Sequence, residues 1–202
     1  SGFFAMLAAF AALALLPAPP IAAQTGPAIQ TLNVTAYTID AQLQPKDHSL
    51  TATAQVTFTS LNDQPTAVFN LHGALNVSQV TDGSGAALNG VRGPNATLVV
   101  TPAAPLQKDQ TYTWTFHYAG NLENADAGPV LGLQLAYVGA PITYLLYAGE
   151  WFPITGYTTD RFTADVKVTA PDGFTVIGSG ATGKPVSAMG GKTWEFKWDQ
   201  PG

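Results

Sequence analysis

His48, His72 and His117 are the chain's only imidazoles, and none stands in an H-E-x-x-H or H-x-H arrangement. The sequence has no Cys to add thiolates, so it offers zinc no run of neighbouring ligands. His48 falls in a polar turn where water can solvate it, His72 ends a strand, and His117 sits on the polar face of another. No G-x-S-x-G elbow is present to expose a nucleophilic serine. GSGATGK (178–184) looks at first like a phosphate loop, but Pro185 follows the lysine where the G-x-x-x-x-G-K-[ST] pattern needs Ser or Thr. No helix follows to supply an anion-binding dipole, so the run reads as a Gly-rich hairpin.

Carboxylates are equally sparse. Glu123 and Asp126 lie in an irregular Gly/Ala-rich stretch (119–141), Glu150 precedes a Trp-Phe-Pro knot, and Asp160 and Arg161 open the strand after it. A glycosidase would need two carboxyls a few ångströms apart in a cleft. The plain reading of Asp160-Arg161 is a strand-edge turn with an ion pair worth under about 1 kcal/mol. Asn33-Val-Thr, Asn76-Val-Ser and Asn95-Ala-Thr fit the glycosylation pattern, but Thr-rich strands generate such triplets by chance. The residues alone show no catalytic constellation.

The elements that would position these groups are strands. YTIDAQLQP puts Tyr37, Ile39, Ala41 and Leu43 on one face, and LTATAQVTFTS does the same with Leu50, Ala52, Ala54, Val56 and Phe58. This is the two-residue period of a half-buried strand. The link PKDH between them is hairpin-sized, so the two should pair antiparallel. Further strands are expected at 66–72, 75–81, 96–102, 110–118, 142–147, 162–168, 174–180 and 192–198, with Asp82-Gly83, Asn89-Gly90, Gly93-Pro94, Pro171-Asp172-Gly173 and Gly190-Gly191 as turn chemistry. In TYTWTFHY, Tyr112, Trp114, Phe116 and Tyr118 share one face. At about 1.5–3 kcal/mol per large buried side chain, that face is worth on the order of 6–12 kcal/mol. A whole domain has only about 5–15 kcal/mol of stability, so a second layer must cover it. Trp194, Phe196 and Trp198 ask for the same. The expected fold class is all-β, a two-layer sandwich or saddle of mostly antiparallel strands.

FFAMLAAFAALALL (3–16) followed by PAPPIAAQ reads as a secretory signal peptide over residues 1–23, clipped at its start and cleaved after Ala23. Residues 24–202 would then be the mature domain, periplasmic or extracellular, or membrane-anchored if the signal stays. With a net charge of −5, 10% charged residues and no basic cluster, the composition argues against nucleic acid and anionic membrane surfaces as partners.

The order of these pieces carries a resemblance. The Y-x-I-x-A-x-L-x-P strand, LTATAQVTFTS, FNLHGALNVSQVTDG, LVVTPAAPLQKDQTYTWTFHYAGNL, WFPITGYTTDRFTADVKVTAPDGFTVIGSG and WEFKWDQPG follow one another over residues 31–202. This succession resembles the N-terminal β domain of the aminopeptidase N-like (gluzincin) zinc metallopeptidases, the family that includes leukotriene hydrolase. The resemblance implies a non-catalytic scaffold, truncated at its C-terminus, that packs on a helical catalytic domain and borders its substrate site. That downstream domain would carry H-E-x-x-H, a further Glu and the zinc, together with a G-x-M-E-N strand for the substrate amine. Neither motif occurs in this chain, and SAMGG (187–191) is not the latter; no cofactor is expected here. The partners implied are the chain's own downstream domain and the N-terminus of a peptide substrate.

The family's A-R-x-x-F-P-C-x-D-x-P segment corresponds to LLYAGEWFPITGYTTD (145–160), where Phe152, Pro153 and Asp160 match while the Arg and Cys are absent and the spacing to the Asp is longer. By the resemblance, Glu150 is the candidate for the substrate's free amine. Trp151, Phe152 and Pro153 would face the catalytic domain and form an exposed apolar patch in the isolated chain. Two other readings stand beside this one: a free-standing exported β-sandwich for adhesion or carbohydrate binding, and a peptidase relative whose downstream domain has lost its zinc ligands.

Overall fold

The structure, a computed structural model, describes residues 30–123, 133–156 and 160–201. The expected signal peptide (residues 1–23) and Asp126 lie outside the described residues. Strands β1 (Leu32–Gln44), β2 (Ser49–Ser60), β3 (Ala67–Asn70), β4 (Leu75–Thr81), β5 (Ala87–Arg92), β6 (Thr97–Thr101) and β7 (Thr111–Asn121) build the first half. Strands β8 (Ala136–Tyr137), β9 (Tyr144–Leu145), β10 (Thr163–Ala170), β11 (Ala181–Thr182), β12 (Val186–Ala188) and β13 (Gly191–Trp198) complete it. Among the described residues there is no α-helix; one 3₁₀ turn, Tyr147–Gly149, follows β9.

The strands form one large mixed sheet in the order β11-β13-β10-β1-β2-β7-β4-β5-β6-β3, with β12 also on β13, plus the small β8-β9 pair. β1 and β2 pair antiparallel, as their link predicts. β1 and β10 run parallel, the exception to the antiparallel expectation. Registers align the inward residues into rows. Trp198, Ala164, Tyr37, Val56 and Trp114 make one row, and Phe196, Val166, Ile39, Ala54 and Phe116 the next. Both rows have aromatic rings at their ends; the second has only aliphatic residues between, and the first carries Tyr37 at its centre. The opposite face carries Thr57 against Thr113 and Thr169 against Thr193, whose hydroxyls bond at 3.0 and 2.7 Å.

The expected second layer is the far end of the same sheet. β5, β6 and β3 bring Phe69 onto the β2 and β7 side of the apolar face, where its ring meets Phe58 at 5.6 Å and Phe116 at 5.1 Å, both edge-on. β5, which supplies that connection, was not among the expected strands. ALNGVR has no apolar alternation, and all its residues are exposed or half-buried.

The stretch at 174–180 is irregular, contrary to the strand expected there. Its Phe174 and Val176 pack on the core while Ile177 is 91% exposed, and no neighbouring strand completes a ladder. The stretch at 142–147 pairs only over Tyr144–Leu145 before the 3₁₀ turn. GSGATGK is not a hairpin: within it Ala181–Thr182 lies along β13 as an edge cover.

Burial decides the energetic weight. Phe69→Ala, deleting a fully buried ring, should cost about 3–5 kcal/mol. Val68→Ala, at a side chain 42% exposed on the next position, should stay within about 0.5 kcal/mol. Urea midpoints of the two variants check this; similar losses would mean that β3 is not the cover of the sheet.

Candidate functional site

The aromatic knot is positioned by the backbone on both sides. Gly149 closes the 3₁₀ turn against β8, where an added Cβ would come within 2.7 Å of Ala136 Cβ and the Leu135 carbonyl oxygen. Glu150 follows in the left-handed region with φ 53° and donates its N–H to the Tyr147 carbonyl. The chain then runs beside β3: His72 N–H donates to the Glu150 carbonyl at 2.8 Å, and Asn70 and Ile154 exchange two bonds of 2.7 and 2.9 Å. Trp151, Phe152, Pro153 and Ile154 between these anchors are all buried.

Burial reverses one expectation. Trp151 and Phe152 keep only 7% and 6% exposure, so the apolar patch predicted at the knot is not there. The chain itself covers these rings, with Phe152 edge-on to Tyr37 at 4.9 Å and to Trp151 at 4.8 Å.

Glu150 is 3% exposed, and its Oε1 accepts from Asn70 Nδ2 at 3.0 Å. Nearby, one guanidinium gathers loop carbonyls: Arg92 donates to the oxygens of Leu71, His72, Leu75 and Ala96. Burial pushes Arg92 below its ordinary value, and the charge of Glu150 acts in the opposite direction. Through Asn70, Glu150 ties the knot to β3, while Arg92 gathers the carbonyls of the β3–β4 link. Arg92 and Asn70 escaped the sequence reading because nothing local marks them; only the tertiary fold brings them to Glu150.

Asp160 ties the other end of the knot. It accepts from Gln30 Nε2 at 2.5 Å, from Val34 N–H at 3.2 Å and from the Thr155 hydroxyl. Among the described residues it makes no ion pair with Arg161, contrary to the sequence reading. The Gln30 amide and the Val34 N–H, both far away in sequence, and the nearby Thr155 hydroxyl reach the carboxylate instead.

The other candidates are spread apart. His48 is not simply solvated: its Nδ1–H donates to the Val138 carbonyl at 2.7 Å, and Nε2 lies 3.9 Å from Glu123. His117 shares a 3.1 Å bond with Thr53, and His72 Nδ1 accepts from the Ala74 N–H. No three His, Asp or Glu converge among the described residues in a way that could hold a metal. The donor set of the described residues therefore does not fit a zinc site.

Beside the knot an apolar groove of about 700 Å³ opens over β1, β10 and β13. Tyr37, Ile39, Phe152, Ala164, Val166 and Trp198 are among the residues that line it, as are Leu146 and Ile177. Tyr147, which lines it too, donates its hydroxyl to the Gly156 carbonyl at 2.6 Å. Burial and the nearby Asp160 charge push this phenol up to about 12.

The fold can be set against solved structures. Crystal structures of an M1 zinc metallopeptidase from Deinococcus radiodurans match it with TM-scores of 0.72 for a mutant, 0.72 for the mutant bound to a Tyr-Ser-Ala substrate, and 0.69 for a third structure. The shared fold is that of M1 zinc metallopeptidases. Sequence identities are 22%, 23% and 20%, a level that carries the M1 fold and no more. Each match covers 85% of this chain and 40% of that one, so this chain spans two-fifths of the M1 structures it matches. No family model matches the sequence, and no curated protein matches it.

Asp160 sets a pH dependence. Burial raises its pKa, partly offset by the bonds from Thr155, Val34 and Gln30. A raised carboxyl holds its proton more tightly when folded, so stability is highest below the unfolded value of about 3.9 and falls as pH climbs from there through the folded value. The stability of the parent chain relative to Asp160→Asn should drop across that window, measured as urea midpoints against pH. A difference that rises with pH would contradict the burial effect.

Proposed function

We propose that this chain is the non-catalytic β scaffold of an exported zinc aminopeptidase, packing on a catalytic domain that follows it and bordering the substrate cleft. The observation that carries this reading is the fold likeness to M1 zinc metallopeptidases over 85% of the chain, at 40% of their length. Zinc and the peptide-cutting groups belong, on this reading, to the following domain. The dispersed donor set of the described residues agrees with that division of labour. Export rests on the apolar run of residues 3–16 with its small-residue end. Glu150 is the residue nearest to the substrate amine by resemblance; because Asn70 holds its carboxylate, reaching a substrate would require release of that bond.

The aromatic lining of the groove favours a second reading, a free-standing exported binding module. The two separate cleanly. On the scaffold reading, the reading frame continues past Gly202 and encodes H-E-x-x-H. The longer protein cleaves aminoacyl-nitroanilides in a zinc-dependent manner, and residues 1–202 alone do not. A frame that stops at Gly202, with saturable binding of the isolated chain on a glycan array, would replace the scaffold with the binding module.

A further inference from the structure

β8 and β9 form a flap, a two-stranded sheet separate from the large one. Tyr144, Leu145 and Leu146, in β9 and just after it, line the groove. The flap is fastened at Val138, next to β8. Its N–H donates to the Leu122 carbonyl at 3.1 Å, and its carbonyl accepts from His48 Nδ1 at 2.7 Å. Leu122 N–H in turn donates to the His48 carbonyl at 2.8 Å. A single residue of the β1–β2 turn, His48, thus anchors both partners of Val138.

The second ring nitrogen makes this anchor sensitive to protons. A carbonyl only accepts, so Nδ1 carries the hydrogen and the lone pair of a neutral ring falls on Nε2. That nitrogen lies 3.9 Å from Glu123 Oε1. Lys46 and Asp47 beside His48 in the turn are exposed, and from β8 the Tyr137 ring stands 5.9 Å away. Glu123 is itself tied to the flap, because Gln134 Nε2 donates to its carbonyl at 2.9 Å. A neutral ring turns a lone pair towards the carboxylate; a protonated ring turns an N–H towards it. We propose that His48 and Glu123 form a proton-dependent latch on the β8–β9 flap: the protonated ring bridges Val138 and Glu123 and holds this wall of the groove in place, and loss of the proton loosens it. The latch acts under either reading of the chain's function. Closing favours the protonated ring, so the latch is tight at low pH and is lost as pH rises through the range in which imidazoles ordinarily titrate, about pH 5 to 8.

Amide hydrogen exchange of residues 1–202, followed by NMR and expressed as protection factors, reads opening of the flap. The N–H groups of Val138 and Leu146 report on it, since they donate to the Leu122 and Leu135 carbonyls. Amides of β2, a strand paired on both edges, report opening of the whole molecule and so carry the separate effect of Asp160. Between about pH 5.5 and about pH 7.5, protection at Val138 and Leu146 should fall about two- to fivefold relative to β2, the size expected of a half-exposed ion pair. Glu123→Gln should abolish that fall and leave protection at the higher pH unchanged. His48→Asn keeps a residue that tolerates the left-handed turn; it should lower protection at both pH values and remove the dependence on pH.

Protection at Val138 and Leu146 that follows β2 at every pH overturns the latch, and so does a fall that survives Glu123→Gln. Should His48→Asn fail to fold, the NMR titration of the His48 ring replaces it. Glu123→Gln should then weaken proton binding to that ring by about two- to fivefold, and a titration that does not move overturns the proposal.

Discussion

One continuous apolar face, shared by β13, β10, β1, β2 and β7, is the constraint on which the rest of the structure depends. Its rows set Trp198 and Trp114, or Phe196 and Phe116, at opposite ends of a band of smaller side chains. Burying such a face is the largest favourable term available to an all-β chain without disulfides. Two different covers meet this need. On the β2 and β7 side the sheet's own end folds over and presses Phe69 into the aromatic cluster. On the β1 and β10 side the cover is the irregular segment ending in the Trp-Phe-Pro knot, and it is incomplete. The groove is what that incomplete cover leaves above β1, β10 and β13.

Polar groups hold the covers in place. Arg92 collects the carbonyls of the β3–β4 link, Glu150 lends it opposite charge, and Asn70 bonds Glu150 while pairing its backbone with Ile154. Asp160 joins the knot to the start of β1, and His48 joins the β1–β2 turn to the strand-like residues around Val138. Charged and titratable groups that a sequence reader would test for catalysis serve here as fasteners. Buried bonds to charged groups are worth more than neutral ones, and a loop without a regular ladder needs a few strong contacts where a strand has many weak ones.

His48, Asp160, Glu150 and Arg92 are each bonded to groups of the chain itself, and the groove beside the knot is lined mostly by apolar side chains.

Strand identity was readable in the sequence wherever a two-residue period ran long enough. β1, β2, β7, β10 and β13 each declare a buried face by alternation, because every second side chain of a strand shares a side. The sequence also determined the pairing of β1 with β2, since a four-residue link leaves little choice. It could not show that β10 would lie parallel to β1 or that β5 would carry the sheet over itself. Nor could it show that Glu150 and Asn70 would bond across 80 residues of chain. Those outcomes depend on which distant surfaces find each other, and a local pattern holds no record of that. Trp151 and Phe152 make the point most plainly: their sequence says only that they are apolar, and the tertiary structure alone decides that Tyr37 and Tyr147, rather than a partner, bury Phe152.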